Sequence, residues 1–140
     1  MTPEQEAVLE ANKNFYRAMQ SLNMEDMDSV WLQDDSARCV HPGWEMLEGW
    51  DAIRESWQRI FEGTRFVRLS VSLQSVRVEG PVAWVVCSEK ISSASDGVFE
   101  NALVQSTNIF IEHDGSWYLA HHHGSHMPTS GGPQQEERLQ

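Results

Sequence analysis

Two periods of apolar residues divide the chain. In the first half the spacing is helical. Val8, Ala11, Phe15, Ala18, Met19 and Leu22 fall three or four apart, which predicts one helix with a single apolar face, ending near Leu22. Thr2 stands at its cap, with Pro3 at the first helical position and Gln5 at the spacing of a capping box. Asn23 opens a second, short helix that carries Met24, Met27, Val30 and Trp31 on one side, and the run Asp34–Ser36 breaks it. Gly49 opens a third, with the stripe Trp50, Ile53, Trp57, Ile60 and Phe61, and Gly63 ends it. Between the second and third helices, Ala37–His41 reads as a short strand stopped by Pro42-Gly43, and Trp44–Leu47 as another short extended piece.

Beyond Gly63 the period becomes two. Val67, Leu69, Val71 and Leu73 alternate with polar residues, and after Gln74 the apolar phase moves to Val76 and Val78. A one-residue change of phase inside a strand predicts a β-bulge, which bends a sheet. Gly80-Pro81 turns the chain, Val82–Ile91 is apolar on both faces and reads as a central strand, and Ser92–Gly97 reads as a loop. Val98–Glu112 is a long strand joined through Asp114-Gly115 to a last strand from Trp117 to His123. The tag-like run His121–Met127 continues that strand and is read as native. Helices first and antiparallel strands later define an α+β domain over residues 1–128, with helices against one face of a bent sheet. Residues 129–140 form a polar, Gly-Pro-rich tail, expected to be flexible.

Composition narrows the partners. The 140 residues hold 10 Lys and Arg against 21 Asp and Glu, a net charge of −11. Such a surface repels phosphate backbones and anionic lipid, so neither nucleic acid nor membrane is expected as a partner. The longest apolar run, Val82–Cys87, is far shorter than a membrane span. Thr2–Glu6 is polar and shows no signal-peptide pattern, and two cysteines make no disulfide framework. The expectation is a cytoplasmic protein with reduced thiols.

A few residues could carry chemistry. His41 ends its strand on the same face as Ala37 and Cys39, whose small side chains leave a recess around an imidazole that titrates near neutrality. His121 and His123 share one face of the last strand and His122 the other; a pair at i and i+2 reaches one metal ion, but no third ligand adjoins it in sequence, and His41 or Glu89 supplies one only if the fold brings them close, so the spacing is a weak metal signal and none is expected. Asn108 lies among apolar neighbours, Phe110 included, where a carboxamide can orient a carbonyl oxygen. Of six tryptophans, Trp44 beside Pro42-Gly43 fits a pocket wall, with Trp50 and Trp57 on the third helix. Tyr16, one position off the first apolar stripe, could offer its hydroxyl to an interior cavity. A Gly-rich phosphate loop, a CxxC pair and a GxSxG elbow are all missing, so nucleotide hydrolysis, dithiol redox chemistry and α/β-hydrolase chemistry have no motif behind them.

The segments FYRAM, NMEDMDSVW, ARCVHPGWEMLEGWDAIRESW and TNIFIEHDGSWYLAHHHGS together resemble the nuclear transport factor 2-like superfamily, and within it the SnoaL-like branch. The stretch from Asp114 to Ser125 is also similar to the association domain of calmodulin-dependent kinase II. The resemblance implies a cystatin-like cone with a pocket, packed as a homodimer through the open face of its sheet. Ketosteroid-isomerase-like members carry an aspartate base before the proline that follows the first strand, where this chain has His41. They carry an acid on the strand before the last hairpin, where Thr107 and Asn108 stand here. Their oxyanion tyrosine lies on the first helix, which Tyr16 matches. The Asp-Arg-Asp set of epoxide hydrolases is not recognisable, and the pocket arginine of the kinase domain is replaced by Asn108.

Two functions follow. The first is a small-molecule pocket protein that moves a proton next to a carbonyl, in isomerisation, dehydration or cyclisation, without a cofactor. There His41 is the base, Asn108 holds the substrate oxygen, His123 relays and Tyr16 donates, while Cys39, Trp44, Trp50, Phe110 and His121 line a site for a small apolar or carbonyl-containing ligand. The second is a homo-oligomeric association or ligand-binding module without catalysis.

Overall fold

The structure is a computed structural model, and it describes residues 1–128. The expected tail, 129–140, lies outside the described residues. Three helices precede most of the sheet: α1 (Pro3–Ser21), α2 (Met24–Val30) and α3 (Trp50–Glu62), with the short strands β1 (Arg38–Val40) and β2 (Leu47–Glu48) between the last two. Four long strands follow, β3 (Phe66–Glu79), β4 (Val82–Ser95), β5 (Val98–His113) and β6 (Ser116–Met127).

Local chemistry sets the helix ends. The Thr2 hydroxyl accepts from Gln5 N–H while the Gln5 side chain accepts from Thr2 N–H, closing the capping box. Asn23 Oδ1 accepts from Glu25 N–H at 2.8 Å and caps α2. Phe15 and Met19 of α1, Met27 and Trp31 from the α2 region, and Ile53 and Trp57 of α3 meet the sheet in one core with Val85, Phe110 and Leu119.

The six strands form one mixed sheet in the order β2-β1-β6-β5-β4-β3. Only β1 and β6 run parallel; the other neighbours are antiparallel. The bulge expected at Gln74 is present, as a register shift between Leu73 and Ser75 against β4. A second shift was not anticipated. Ile109 faces His121 and Phe110 faces Leu119, so Ala120 has no opposite residue. That single extra residue reverses which side chains of β6 point inward. Another departure is Ser92–Ser95, expected as loop but in strand; these residues are paired on both sides, to β3 and to β5, and the turn is made later by Asp96 and Gly97, both at positive φ.

The bent sheet curls around its helices to make the cone. Close approach at its open end depends on Gly124. A Cβ there would lie 3.0 Å from Val104 Cγ1 and 3.2 Å from Pro42 Cγ, so any side chain at this position would push Val104 or Pro42, and with Pro42 the adjoining His41, off β6 by a few tenths of an ångström.

Candidate active site

The interior of the cone carries polar groups in an otherwise apolar core. Asn12, His41, Ser56, Glu89, Ser106, Asn108 and His122 are each at most 5% exposed. Buried polar groups need partners, and these partner one another. On β4, the inward positions run Ala83, Val85, Cys87 and Glu89. Glu89 Oε2 accepts from the Tyr16 hydroxyl and from Ser106 Oγ, both at 2.5 Å. Tyr16 Oη in turn accepts from Asn108 Nδ2 at 3.0 Å, and the same amide nitrogen donates to Asn12 Oδ1 at 2.9 Å. Asn108 Oδ1 pairs with His122 Nδ1 at 2.5 Å. An amide oxygen only accepts, so His122 carries its proton on Nδ1 and leaves Nε2 as a lone pair.

His41 is fixed separately. Its Nε2 lies 2.8 Å from Ser56 Oγ, and that hydroxyl donates to the Ile53 carbonyl at 2.6 Å. Ser56 is therefore the acceptor for His41 Nε2–H, and His41 Nδ1 keeps its lone pair. The ring stands edge-on between Trp44 and Trp57, with centroids 4.7 Å away on either side.

Burial sets the charge states. It holds the His41 pKa down to about 4. Burial first, and then the neighbouring His41, His121 and His123, hold His122 down to about 3. Both imidazoles are neutral at pH 7. Burial raises the Glu89 carboxyl above its ordinary range, against the opposing pull of the hydrogen bonds from Ser106 and Tyr16. Tyr16 is raised by burial and by the Glu89 charge, so it stays a hydroxyl donor.

A cavity of about 300 Å³ opens over this floor, with Glu89, His122, His41, Trp44 and Trp57 among its lining. Glu89 Oε1 makes no hydrogen bond to the described residues. The Trp57 indole N–H is buried and has no hydrogen-bond partner among the described residues. The cavity is thus lined by a carboxylate with one oxygen free of hydrogen bonds and by the two neutral imidazoles of His41 and His122.

The expected site residues divide accordingly. His41 and Trp44 line the cavity. Tyr16 and Asn108 lie one layer beneath it; the Asn108 amide N–H groups are directed at Asn12 and Tyr16 and its oxygen meets His122, so no N–H donor remains to hold a substrate oxygen. Cys39 sits behind His41, its Sγ 3.7 Å from Nε2. Trp50 packs on Trp31 at 6.1 Å and Phe110 is wholly in the core, neither reaching the cavity. His121 and His123 stack on each other, 6.3 Å apart, on the outer face of the sheet. The Ala120 bulge turns His122 inward in their place. Thr107, beside Asn108, also faces outward, paired with His123. Among the described residues, no group of three metal-ligating side chains gathers.

Glu89 was passed over as an acid in the sequence. Its signal was parity, since it continues the inward set Ala83, Val85 and Cys87. Asn12 was legible in the same way, between Val8 and Phe15 on the first apolar stripe. Ser106 shares its face with Asn108.

The fold is that of the nuclear transport factor 2-like class of α+β cones. The chain belongs to the SnoaL-like domain family, whose model matches residues 8–130. A crystal structure of a candidate dehydratase of the nuclear transport factor 2-like family from Streptomyces avermitilis is 32% identical, with a TM-score of 0.84 over 91% of this chain and 100% of its own. A candidate calcium/calmodulin-dependent protein kinase type II association domain from Thiobacillus denitrificans is 25% identical, with a TM-score of 0.76 over 91% of this chain and 96% of its own. F-box protein SKIP8 of Arabidopsis thaliana is 28% identical over 121 residues, 86% of this chain. The chain spans about half the length of that curated relative. No helix of the described residues is long and apolar enough to cross a membrane.

Proposed function

We propose that the chain is a cofactor-independent enzyme that moves a proton next to a carbonyl, with dehydration of a hydroxylated carbonyl compound as its reaction. The observation that carries this reading is Glu89: a carboxylate with one oxygen held by Tyr16 and Ser106 and the other free at the cavity. Its pKa is raised by burial, toward the range where a carboxylate serves as both base and acid. His41, held near 4, is too weak a base for the role expected of it and instead shapes the wall between Trp44 and Trp57.

In the reaction, Glu89 Oε1 takes the proton α to the carbonyl. The C–H electron pair moves into the enolate. Protonated Glu89 then gives its proton to the departing hydroxyl, the C=C bond forms, and water leaves. His122 Nε2 accepts from the substrate hydroxyl and orients it. The likeness to a candidate dehydratase supports dehydration over isomerisation or cyclisation. The test is a panel of β-hydroxy ketones followed by the ultraviolet band of the enone product. Activity in the parent chain and its loss in E89Q support the reading; turnover unchanged in E89Q ends it.

A non-catalytic association module is the second reading, favoured by the outer face of the sheet. Trp84, Val86, Ile109 and Ile111 are only half-buried there. We take this face as the contact of a homodimer, compatible with either reading. The buried free thiols of Cys39 and Cys87 fit a reducing, cytoplasmic setting.

A further inference from the structure

A second concavity lies on the other side of Tyr16. It runs between α1 and the edge strand β3, has a volume of about 430 Å³, and is larger than the cavity over Glu89. Leu9, Leu69, Val71 and Leu73 form its apolar wall, and Lys13 and Arg17 are its charged lining. Its lining includes no carboxylate, whereas the cavity over Glu89 is lined by Glu89 and Glu100 and by no Lys or Arg. In a chain of net charge −11, a concavity lined only by cations is set apart from the surface around it.

Three further features point to an occupant. Leu73 is 48% exposed at the end of the groove, in line with Leu69 and Val71. Lys13 has no ion-pair partner among the described residues, and Arg17 is held only by Glu10 and Asn14 at the exposed surface; such surface pairs exchange at little cost. The third feature is backbone. Because β3 is the sheet edge, alternate residues turn their N–H and C=O groups away from β4. Leu69 is one of these, and its N–H donates to Gln20 Oε1 at 2.9 Å. Val71 turns the same edge to the groove, and no side chain of the described residues reaches its N–H.

We propose that this groove is a second ligand site, for an amphipathic carboxylate. The carboxylate lies between Lys13, Arg17 and the edge N–H of Val71, and the aliphatic part lies along Leu9, Leu69 and Leu73. A cation or an uncharged alcohol of the same length leaves Lys13 unpaired and binds less well. The volume falls in the usual small-ligand range. Tyr16 links the two: it lines the groove while its hydroxyl donates to Glu89, so a ligand in the groove touches the residue that holds the acid of the other cavity.

The experiment is titration of the full chain with decanoate, followed by amide and indole ¹H–¹⁵N correlation spectra, with 1-decanol as the uncharged control. The expected result is saturable shifts at Val71, Leu73 and Lys13, and weakening by about tenfold, or 1.4 kcal/mol, in the exposed double variant K13E/R17E. L73D, also at the surface, weakens binding without changing the rest of the spectrum. Shifts confined to Trp57 N–H and its surroundings, equal affinity for decanoate and decanol, affinity unchanged by the charge reversal, or no shift at millimolar decanoate each overturn the proposal. So does an acidic peptide that shifts these amides where decanoate does not.

Discussion

The two faces of the sheet each depart from the usual distribution of polarity at a few positions. Inside, Glu89, Ser106, Asn108 and His122 are nearly or wholly buried. Outside, Trp84, Val86, Ile109 and Ile111 sit half-buried on the same strands. Burying a polar group costs free energy unless it finds a hydrogen-bond partner, so each inner group needs one, and an apolar face left to water forgoes what burial would give. On the proposed function, chemistry accounts for the inner face and a covering second copy for the outer one, and each part of that proposal can be broken separately.

The largest effect is expected at Glu89. Glu89→Gln keeps the shape and an acceptor for Tyr16 and Ser106, and removes the titrating proton. Activity on any substrate found falls by about 10²- to 10⁴-fold, the usual contribution of a positioned acid or base. Stability moves in the opposite direction. A carboxyl whose folded pKa is raised loses stability as pH climbs from its unfolded pKa to its folded one, because the folded state holds the proton longer. At pH 8 the variant melts at a higher temperature than the parent. A variant that is both inactive and less stable would make Glu89 a structural residue.

Asn108→Ala comes next. It orphans His122 Nδ1–H and the Asn12 carbonyl oxygen together, at about 1–3 kcal/mol for each buried group left unpaired. Chemical denaturation should show a loss of about 2–6 kcal/mol, against a few tenths for the outward neighbour in Thr107→Ala. Equal losses at the two positions would erase the distinction between the faces.

Acid should unfold the chain early, through its inner histidines. His41 and His122 are depressed to about 4 and about 3, while in the unfolded chain they titrate near 6.5. Between those values the unfolded state binds more protons, so stability is full above about pH 6.5 and falls as pH drops through the window. Each histidine contributes up to about tenfold in the folding constant per pH unit. His41→Gln should flatten the slope between pH 4 and 6 measured by urea unfolding; an unchanged slope would mean that His41 is solvated.

The outer face predicts assembly. Ile109→Asp places a charge where the half-buried apolar strip would meet a second copy. Sedimentation should show the parent as a dimer and the variant as a folded monomer with an unchanged melting curve at low concentration. A monomeric parent would remove the covering partner from the comparison.

Much of this architecture was legible in the chain, and the exceptions have physical causes. The bulge at Gln74 is written as a change of apolar phase between Leu73 and Val76. The bulge at Ala120 is not, because His121, His122 and His123 are one residue type and offer no contrast from which parity can be read. Ser92–Ser95 looks like loop because a serine run resembles a turn, yet pairing on both sides makes it strand. His41 and Trp44 were found at the cavity because the small residues and the Pro-Gly stop around them are local signals. Its depth was not, because Glu89 meets Tyr16 across 73 positions of sequence, and only the closed sheet brings them together.

The smallest effect belongs to His123, and it tests the register of β6 directly. With Ala120 bulged, His123 points outward opposite Thr107 and stacks on His121, so it touches neither the cavity nor the buried chain of hydrogen bonds. His123→Ala should leave turnover within about twofold and the monomer's stability within about 0.5 kcal/mol, the ordinary range for a surface change. His122→Ala, one position away, removes the lone pair at the cavity floor and leaves Asn108 Oδ1 without its donor; it should lower both. Were the two results exchanged, the strand would be in the unbulged register, with His121 and His123 inward, and the inner and outer faces of β6 would have to trade places from Ala120 to the end of the strand.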